Sequence, residues 1–353
     1  MTEAQGIILT AGAVFGLFSF SLSMGLTPLA AWVATKKGIV DQPGDARKVH
    51  RKSMPLLGGW APFLSVLLCV VFLLNTWPIL TEGEITERQY VGFLLGGFVL
   101  LIGGTFDDRY TWSPRKAFIA PIIAALLAVA GGIEVSKLTN PLGGVIYLPG
   151  WISDILVFVW LMVVMYTTKF LDGLDGLATG VGSVGVAAIF ALALSAAYFQ
   201  PDVAVLAAVV LGAFLGFLVF NISPASVFLG EGGSTFIGYA VGTLAVISGG
   251  KLATALLVLG IPLLDVVWVV LRRWKQGGPR NMFRGDRKHL HHRLLDLGWS
   301  HRRIMYTYMA VAGSFGACTL ILQSRGKLIA LGLLSLLMVF TAAILVWNEK
   351  KAI

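Results

Sequence analysis

Long apolar segments recur from one end of the chain to the other, and they constrain the fold more than any other feature. The first, GIILTAGAVFGLFSFSLSMGLTPLAAWVA at 6–34, exceeds the ~20 residues that cross a bilayer as a helix and lacks the basic leader of a cleaved signal. The sequence therefore predicts an all-α, polytopic transmembrane helix bundle of about eleven spans, forming a single membrane domain over residues 1–353. The predicted spans lie near 7–34, 56–79, 90–104, 118–132, 152–167, 177–198, 203–220, 234–249, 252–271, 304–322 and 328–347.

The distribution of basic residues predicts how the bundle is oriented. If the spans alternate in direction, 22 of the 27 lysines and arginines fall on one side of the membrane. Cytoplasmic loops are rich in these residues, so we expect the N-terminus outside, the C-terminus in the cytoplasm and the protein in the inner or plasma membrane. The net charge of +9 then reflects topology and not binding of nucleic acid. On the outer side, the connection at 131–151 predicts a small β-hairpin.

Five acidic residues occur at the predicted cytoplasmic ends of spans. Asp107 and Asp108 are adjacent, Asp172 and Asp175 are three residues apart in DGLDG, and Glu231 lies in a glycine-rich turn. Residues three apart share a face of a helix, and we expect this of Asp172 and Asp175. Carboxylates suit Mg²⁺, which bridges protein acids and substrate phosphates. These acids therefore indicate a metal-assisted phosphate site on the cytoplasmic face.

Histidines and arginines accompany the acids on this side. The sequence HLHH at 289–292 holds three of the chain's five histidines, within the most basic connection, at 272–303. Each cluster also has a structural interpretation: a surface ion pair, a helix end or a topology signal. The occurrence of all of them on one face favours a functional site that binds phosphate. We interpret Asp265 as structural, and His50 and His301 as residues of the membrane interface.

In the order of its motifs, nearly the whole sequence resembles the polyprenyl-phosphate N-acetylhexosamine-1-phosphate transferases. The matching segments are DQPGDARKVHRKSMPLLGG at 41–59, GGTFDDRYTWSPRK at 103–116, DGLDGLA at 172–178, VFLGEGGSTFIG at 227–238 and DRKHLHHRLLDLG at 286–298. The resemblance implies that a UDP-N-acetylhexosamine donates its sugar-1-phosphate to undecaprenyl or another polyprenyl phosphate. The products would be a polyprenyl-diphosphate-sugar and UMP, and the cofactor Mg²⁺, with Mn²⁺ as an alternative.

The resemblance also implies roles for individual residues. Asp107 or Asp108 would orient or deprotonate the lipid phosphate, and Asp175 and Phe228 would hold the uracil. The implied catalytic residues are Asp107, Asp108, Asp172 and Asp175. The implied metal ligands are Glu231, Asp172 and Asp108. The implied substrate-binding residues are Lys48, Lys116, Lys169, Phe228, Arg287, His289, His291 and His292.

Three positions depart from the family pattern. The family usually has asparagine at the positions of Tyr166 and Lys169, and aspartate at the position of Glu231. One hypothesis is that Lys169 supplies positive charge near the diphosphate while Glu231, one methylene longer, reaches a displaced Mg²⁺. The opposing hypothesis is that a Lys169–Glu231 ion pair occludes the site of a non-catalytic membrane paralogue.

The sequence also leaves alternatives to this interpretation. The histidine segment resembles the GlcNAc-1-phosphate branch, which begins O-antigen, enterobacterial common antigen or teichoic acid linkage. The alternative branch is phospho-MurNAc-pentapeptide transferase of peptidoglycan synthesis. A transporter would place acids near the bilayer midplane in repeated halves, and a CDP-alcohol phosphatidyltransferase would have arginine after DGLDG; neither pattern occurs here. The sugar, the lipid length, the order of displacement and formation of a homodimer stay open.

Overall fold

The computed structural model describes residues 2–43, 52–81, 83–140, 143–249, 251–277 and 289–351. Within them, the helices are α1 Glu3–Lys37, α2 Trp60–Thr76, α3 Glu87–Tyr110, α4 Pro114–Ala117, α5 Ile119–Ala130, α6 Gly150–Leu171, α7 Leu177–Leu194, α8 Pro201–Asn221, α9 Gly230–Ile247, α10 Leu252–Val258, α11 Gly260–Gly277, α12 Leu290–Asp296, α13 His301–Ile321 and α14 Ser324–Lys351, with a 3₁₀ turn at Pro78–Leu80. The strands form two antiparallel hairpins: β1 Val40–Asp41 with β2 Met54–Pro55, and β3 Lys137–Thr139 with β4 Val145–Tyr147.

The helices bear out a membrane protein that is mostly helical. Among the described residues, six helices are long and apolar enough to cross a membrane, namely α1, α3, α6, α7, α8 and α13. The pair α10 and α11, bent by 75°, would count as a seventh span. Each of the eleven predicted segments coincides with a helix or with this pair. The positions of the helices were thus predictable, whereas the count of eleven spans and the orientation stay predictions.

Capping residues account for where two long helices begin. Thr2 and Gln5 form a capping box at the start of α1, and Thr86 and Gln89 form another at the start of α3. In each box the threonine hydroxyl accepts an N–H of the first turn, and the glutamine side chain accepts the N–H of the threonine. Helix α1 ends at Gly38, whose φ of 67° is the left-handed conformation that glycine adopts without strain.

Helix α9 lies at the centre of the bundle and fixes the position of the polar site. All sixteen residues of 232–247 are buried, as expected for a helix that is surrounded by others. Its first turn crosses α3 so closely that a Cβ on Gly104 would overlap the backbone nitrogen of Gly232. Small residues permit such close helix crossings in membrane proteins. The crossing brings the C-terminal end of α3 against the N-terminal end of α9.

The sequence predicts one of the two hairpins and not the other. The predicted hairpin at 131–151 is confirmed by β3 and β4. The hairpin of β1 and β2 was not predicted, because two-residue strands are too short to show the alternation that identifies a strand. It is held to the segment before α9: the Phe228 N–H donates to Pro55 O (2.9 Å) and the Gly58 N–H donates to Phe228 O (3.0 Å). The first hairpin thereby becomes one wall of the site.

Candidate active site

A polar pocket of about 760 Å³ opens where α3 and α6 end and α9 begins. It is closed by the first hairpin, by the segment between α8 and α9, and by the start of α13. Six residues that the sequence singled out line it together: Asp108, Lys169, Asp172, Asp175, Phe228 and Glu231. Residues from three separate motifs therefore share one cavity, as the hypothesis of a common site requires.

The central aspartates lie in a turn and not on a helix, so the expectation that they share a helix face is wrong. Asp172 is the C-cap of α6, and α7 begins only after Gly176. Gly176 has a φ of 72°, which suits glycine and reverses the chain here. The turn nevertheless directs both acids to the pocket. Asp175 Oδ2 accepts the N–H of Ala225 (3.1 Å) and lies 3.9 Å from His301 Nδ1.

The environment of the Asp172 carboxylate favours a bound cation. Within the described part of the chain, its carboxylate has no hydrogen bond or ion pair. Burial, and then the negative charges of Glu231, Asp108 and Asp175, raise the pKa of Asp172 well above its usual range. A buried carboxylate is stable in its ionised form only when a positive charge or hydrogen bonds compensate for lost hydration. A cation, alone or bound together with a substrate phosphate, would supply that compensation.

Asp108, Glu231 and Lys169 form a connected group beside Asp172. The backbone N–H of Glu231, in the first turn of α9, donates to both carboxylate oxygens of Asp108 (3.2 and 3.1 Å). A carboxylate in this position is stabilised by the positive end of the helix dipole. Lys169 Nζ lies 2.5 Å from Glu231 Oε2. The ion pair of the opposing hypothesis is therefore present, and it forms part of the wall of the pocket.

The structure places other predicted residues outside the lining of the pocket. The carboxylate of Asp107 accepts the N–H of Trp112 (2.8 Å) and so caps the turn that follows α3. Lys116 is exposed on the short helix α4. Lys48 and Arg287 lie outside the described residues.

The histidines lie directly behind the central turn. A Cβ on Gly173 would be 2.6 Å from His291 Nε2 and 3.2 Å from His292 Nε2. The rings of His289 and His291 are stacked, with centroids 5.6 Å apart. Burial, and then the neighbouring His292 and His289, lower the pKa of His291 well below its usual range. His291 is therefore neutral at physiological pH, so its contribution to phosphate binding would be a hydrogen bond and not a charge.

Six polar lining residues were not predicted as site residues: Asp41, Lys52, Asn221, Ser223, Ser234 and His301. The first two enter through the unpredicted first hairpin. His301, which we had placed at the membrane interface, begins α13 and faces Asp175. Its sequence signal, a histidine at a helix start beside two arginines, is too common to separate a site residue from an interfacial one.

The acidic side chains of the pocket fit a divalent cation that the substrate helps to bind. No three His, Cys, Asp or Glu side chains in the described ranges are placed to hold a metal by themselves. Mg²⁺ does not require such a cage, because it usually binds one or two carboxylates and completes its shell with substrate phosphates and water. The uncompensated carboxylate of Asp172, close enough to Asp108 and Glu231 for their charges to raise its pKa, fits a cation of this kind.

Comparison with known proteins is consistent with this geometry. A family model described as glycosyl transferase family 4 matches residues 90–249, which include Asp108, the central turn and Glu231. A probable undecaprenyl-phosphate N-acetylglucosaminyl 1-phosphate transferase of Bacillus subtilis is 30% identical over 89% of this chain and 86% of its own. A decaprenyl-phosphate N-acetylglucosaminephosphotransferase of Mycobacterium tuberculosis is 33% identical over 90% and 84%. A phospho-N-acetylmuramoyl-pentapeptide-transferase of Geobacillus thermodenitrificans is 29% identical over 87% and 95%.

Proposed function

Because this chain belongs to glycosyl transferase family 4, we propose that it transfers N-acetylglucosamine-1-phosphate from UDP-N-acetylglucosamine to a polyprenyl phosphate such as undecaprenyl phosphate. The observation that carries the proposal is the pocket in which Asp108, Lys169, Asp172 and Glu231 meet at the ends of apolar helices. The names of the relatives from Bacillus and Mycobacterium support the sugar and the lipid phosphate. The product would begin a cell-envelope glycan.

The reaction exchanges one phosphoanhydride bond for another. An oxygen of the lipid phosphate attacks the donor phosphorus that bears the sugar, a P–O bond forms there, and the bond to the UMP phosphate breaks. Both reactants are anionic, so catalysis depends on positioning them and on offsetting their repulsion. Lys169 and Lys52 line the pocket and would supply positive charge. Asp108, which lines the pocket, would orient the lipid phosphate or accept its proton, whereas the adjacent Asp107 caps the turn after α3.

We propose Mg²⁺ as the cofactor, held by Asp172 and Asp108 with Glu231 in reach. When bound, it would neutralise the charge that builds up on the diphosphate oxygens. The proposal is supported by the carboxylate of Asp172, which no described residue compensates. Mn²⁺ could occupy the same oxygen ligands.

The uridine would bind at the other end of the pocket. Asp175 and Phe228 both line it, and a carboxylate and an aromatic ring can bind uracil by a hydrogen bond and by stacking. Asp175 is already held in place by the N–H of Ala225. The donor would then extend from Asp175 past Asp172 toward Lys169.

The two hypotheses, an active enzyme and a non-catalytic paralogue, differ in the role that they give to the Lys169–Glu231 ion pair. We propose that it belongs to an active site, because the pair forms one wall of a cavity of about 760 Å³ and does not fill it. The test replaces both residues with those usual in the family, Lys169→Asn with Glu231→Asp. We expect the natural protein to transfer sugar phosphate already. Turnover that appears only in the double variant would instead identify the natural pair as a block.

A purified-protein assay tests the reaction itself. Undecaprenyl phosphate would be supplied with UDP-N-acetylglucosamine or with UDP-MurNAc-pentapeptide, and UMP release would be measured with Mg²⁺ and after chelation. We expect release with the first donor, little with the second, and loss after chelation. Preference for the second donor would support the peptidoglycan branch, whose named relative is 29% identical. Release from neither donor would refute the proposal, and release that survives full chelation would refute the role of Mg²⁺.

The location of the reaction follows from the charge distribution. The helices support a multi-pass membrane protein, and we propose that it lies in the plasma or inner membrane. The predicted side that carries the acids also carries 22 of the 27 lysines and arginines, which favours the cytoplasmic side. Sugar nucleotides and the head group of the lipid would meet there. A homodimer is an additional expectation that the assay does not address.

A further inference from the structure

Asp265 is a buried acid that the proposed reaction does not use. It lies in α11, with 7% of its surface exposed. Its Oδ2 lies 2.8 Å from Nδ1 of His289, and its Oδ1 accepts the backbone N–H of Leu290 (2.9 Å). Both carboxylate oxygens therefore contact residues at the start of α12. A single acid fixes the position of the histidine segment relative to a helix that is 25 residues away in sequence.

The contact also determines which ring nitrogen of His289 carries a hydrogen. An ionised carboxylate only accepts hydrogen bonds, so Nδ1 must be the donor. The partner of one ring nitrogen sets the tautomer of the whole ring. In the neutral ring, Nε2 then has a free electron pair. No hydrogen bond of Nε2 to any described residue occurs, and Asp265 is the one hydrogen-bonding partner of this ring within the described ranges.

His289 connects Asp265 to the reacting part of the pocket. Its ring is stacked on Phe170, with centroids 5.8 Å apart and planes 21° apart. Phe170 is two residues before Asp172. On its other side, His289 stacks on His291, whose Nε2 lies against Gly173 of the central turn. A movement of the His289 ring would therefore displace the turn that carries Asp172.

We propose that Asp265 is a positioning residue of the transferase, and that it acts through His289. It keeps the hydrogen on Nδ1 and holds the ring between Phe170 and His291, and in this way it fixes the central turn that carries Asp172. This inference rests on the proposed function. It replaces our interpretation of Asp265 as structural, in which the acid would only anchor α12 to α11.

The substitution Asp265→Asn tests the role of the tautomer. Asparagine has the same shape and can still accept the Leu290 N–H, but its amide N–H₂ then faces Nδ1 of His289. The histidine hydrogen must therefore move to Nε2. We expect kcat/KM for UMP release to fall by about 10- to 100-fold, the usual effect of losing the partner that orients a functional histidine. In His289→Ala protein, the same substitution should cause no further loss, because residues that act as a unit are not additive.

Asp202→Asn is the matched control. Asp202 is also a buried aspartate, 1% exposed, which accepts the N–H of Ile85 (2.8 Å) away from the pocket. We expect it to lower thermal stability at least as much as Asp265→Asn while kcat/KM stays unchanged. This comparison separates a loss of anchoring from a loss of positioning.

The ¹⁵N NMR spectrum of histidine-labelled protein supplies a readout that does not depend on turnover. The proposal predicts hydrogen on Nδ1 of His289 in the natural protein and on Nε2 in the Asp265→Asn variant. Equal losses of activity in the natural and His289→Ala backgrounds would overturn it, as would an unchanged tautomer or unchanged kcat/KM. If the natural protein releases UMP from no donor, the proposed function fails, and the NMR result still decides whether Asp265 sets the tautomer.

Discussion

The carboxyl group of Asp172, which we propose to be catalytic, lies in surroundings that oppose the stability of the folded protein. Burial, and then the negative charges of Glu231, Asp108 and Asp175 around it, raise the pKa of this group. A protein selected only for stability would avoid such a cluster, because each ionised acid raises the cost of the next. Under the proposed function, the same cluster would give a divalent cation a strongly negative site. The mutual repulsion of the acids would then favour binding of the cation.

The first prediction concerns the substitution Asp172→Asn. The pKa of Asp172 is higher in the folded protein than the ~3.9 of an unfolded chain, so the folded state binds the proton more tightly. The favourable effect of this group is complete below pH ~3.9 and is lost as the pH rises through the folded pKa. Asparagine removes the charge, so we expect the thermal midpoint at pH 8 without Mg²⁺ to rise by about 1 to 3 °C, and the gain to shrink toward pH 4.

The same variant should lose what Asp172 is proposed to do. Mg²⁺ should raise the thermal midpoint of the natural protein but not that of Asp172→Asn, and UMP release should fall by about 100-fold or more. Asp154→Asn, an exposed aspartate at the other end of α6, is the control and should change neither quantity. A variant that is destabilised without Mg²⁺ and still responds to the cation would contradict both assignments.

At the scale of elements, the crossing of α3 and α9 sets the distance between motifs that are far apart in sequence. Gly104 and Gly232 allow the backbones to touch, and four residues further along α3, Asp108 accepts the N–H of Glu231. The sequence predicts the two helices and their acids from hydropathy and motif order. It does not predict this pairing, because helix packing depends on small residues whose contacts a hydropathy pattern does not encode.

The second prediction is that Gly104→Ala damages this crossing. The added methyl group would overlap the backbone of Gly232, and overpacking of this kind costs about 1–3 kcal/mol. That cost exceeds or offsets the ~1 kcal/mol that alanine gains over glycine within a helix. We expect a lower thermal midpoint and at least a tenfold loss of UMP release, because Asp108 moves relative to Glu231.

Gly25→Ala provides the comparison for this substitution. Gly25 lies within α1, and a Cβ there would have no neighbour within 4 Å. The gain in helix propensity is then not opposed, so the midpoint should stay the same or rise. Equal effects of the two substitutions would show that the close crossing does not limit stability. Normal activity of Gly104→Ala would show that the site does not depend on it.

At the scale of the whole molecule, the sequence predicts more about location than about local geometry. Hydropathy and the charge bias predict the bundle and the side that carries the acids, because both are averages over many residues. The turn at 172–176 and the entry of Asp41 and Lys52 through the first hairpin depend on single conformations, such as the left-handed φ of Gly176. Such details are decided by tertiary contacts, which the sequence alone does not reveal.

The weakest part of the eleven-span prediction is α5. Its twelve residues extend only ~18 Å at 1.5 Å per residue, less than the ~30 Å of the hydrocarbon core, so α5 could enter and leave on one side. The pocket argues against this. Asp108 near the end of α3 and Asp172 at the end of α6 line the same cavity, so both helices run toward the same side. The chain between them must return across the membrane, and α5 with the short α4 is the segment that can do so.

The last prediction tests this return with a matched pair of substitutions. Ser113 precedes α4 and Ser136 follows α5, and both are exposed. After the exposed Cys318 is replaced by serine, we expect Ser136→Cys to react with a membrane-impermeant maleimide in intact cells. Ser113→Cys should react only after the membrane is permeabilised, because its loop carries Arg115 and Lys116 and is assigned to the cytoplasm. Labelling of both from one side would place the ends of α3 and α6 on opposite sides, and Asp108 and Asp172 could not then share a pocket.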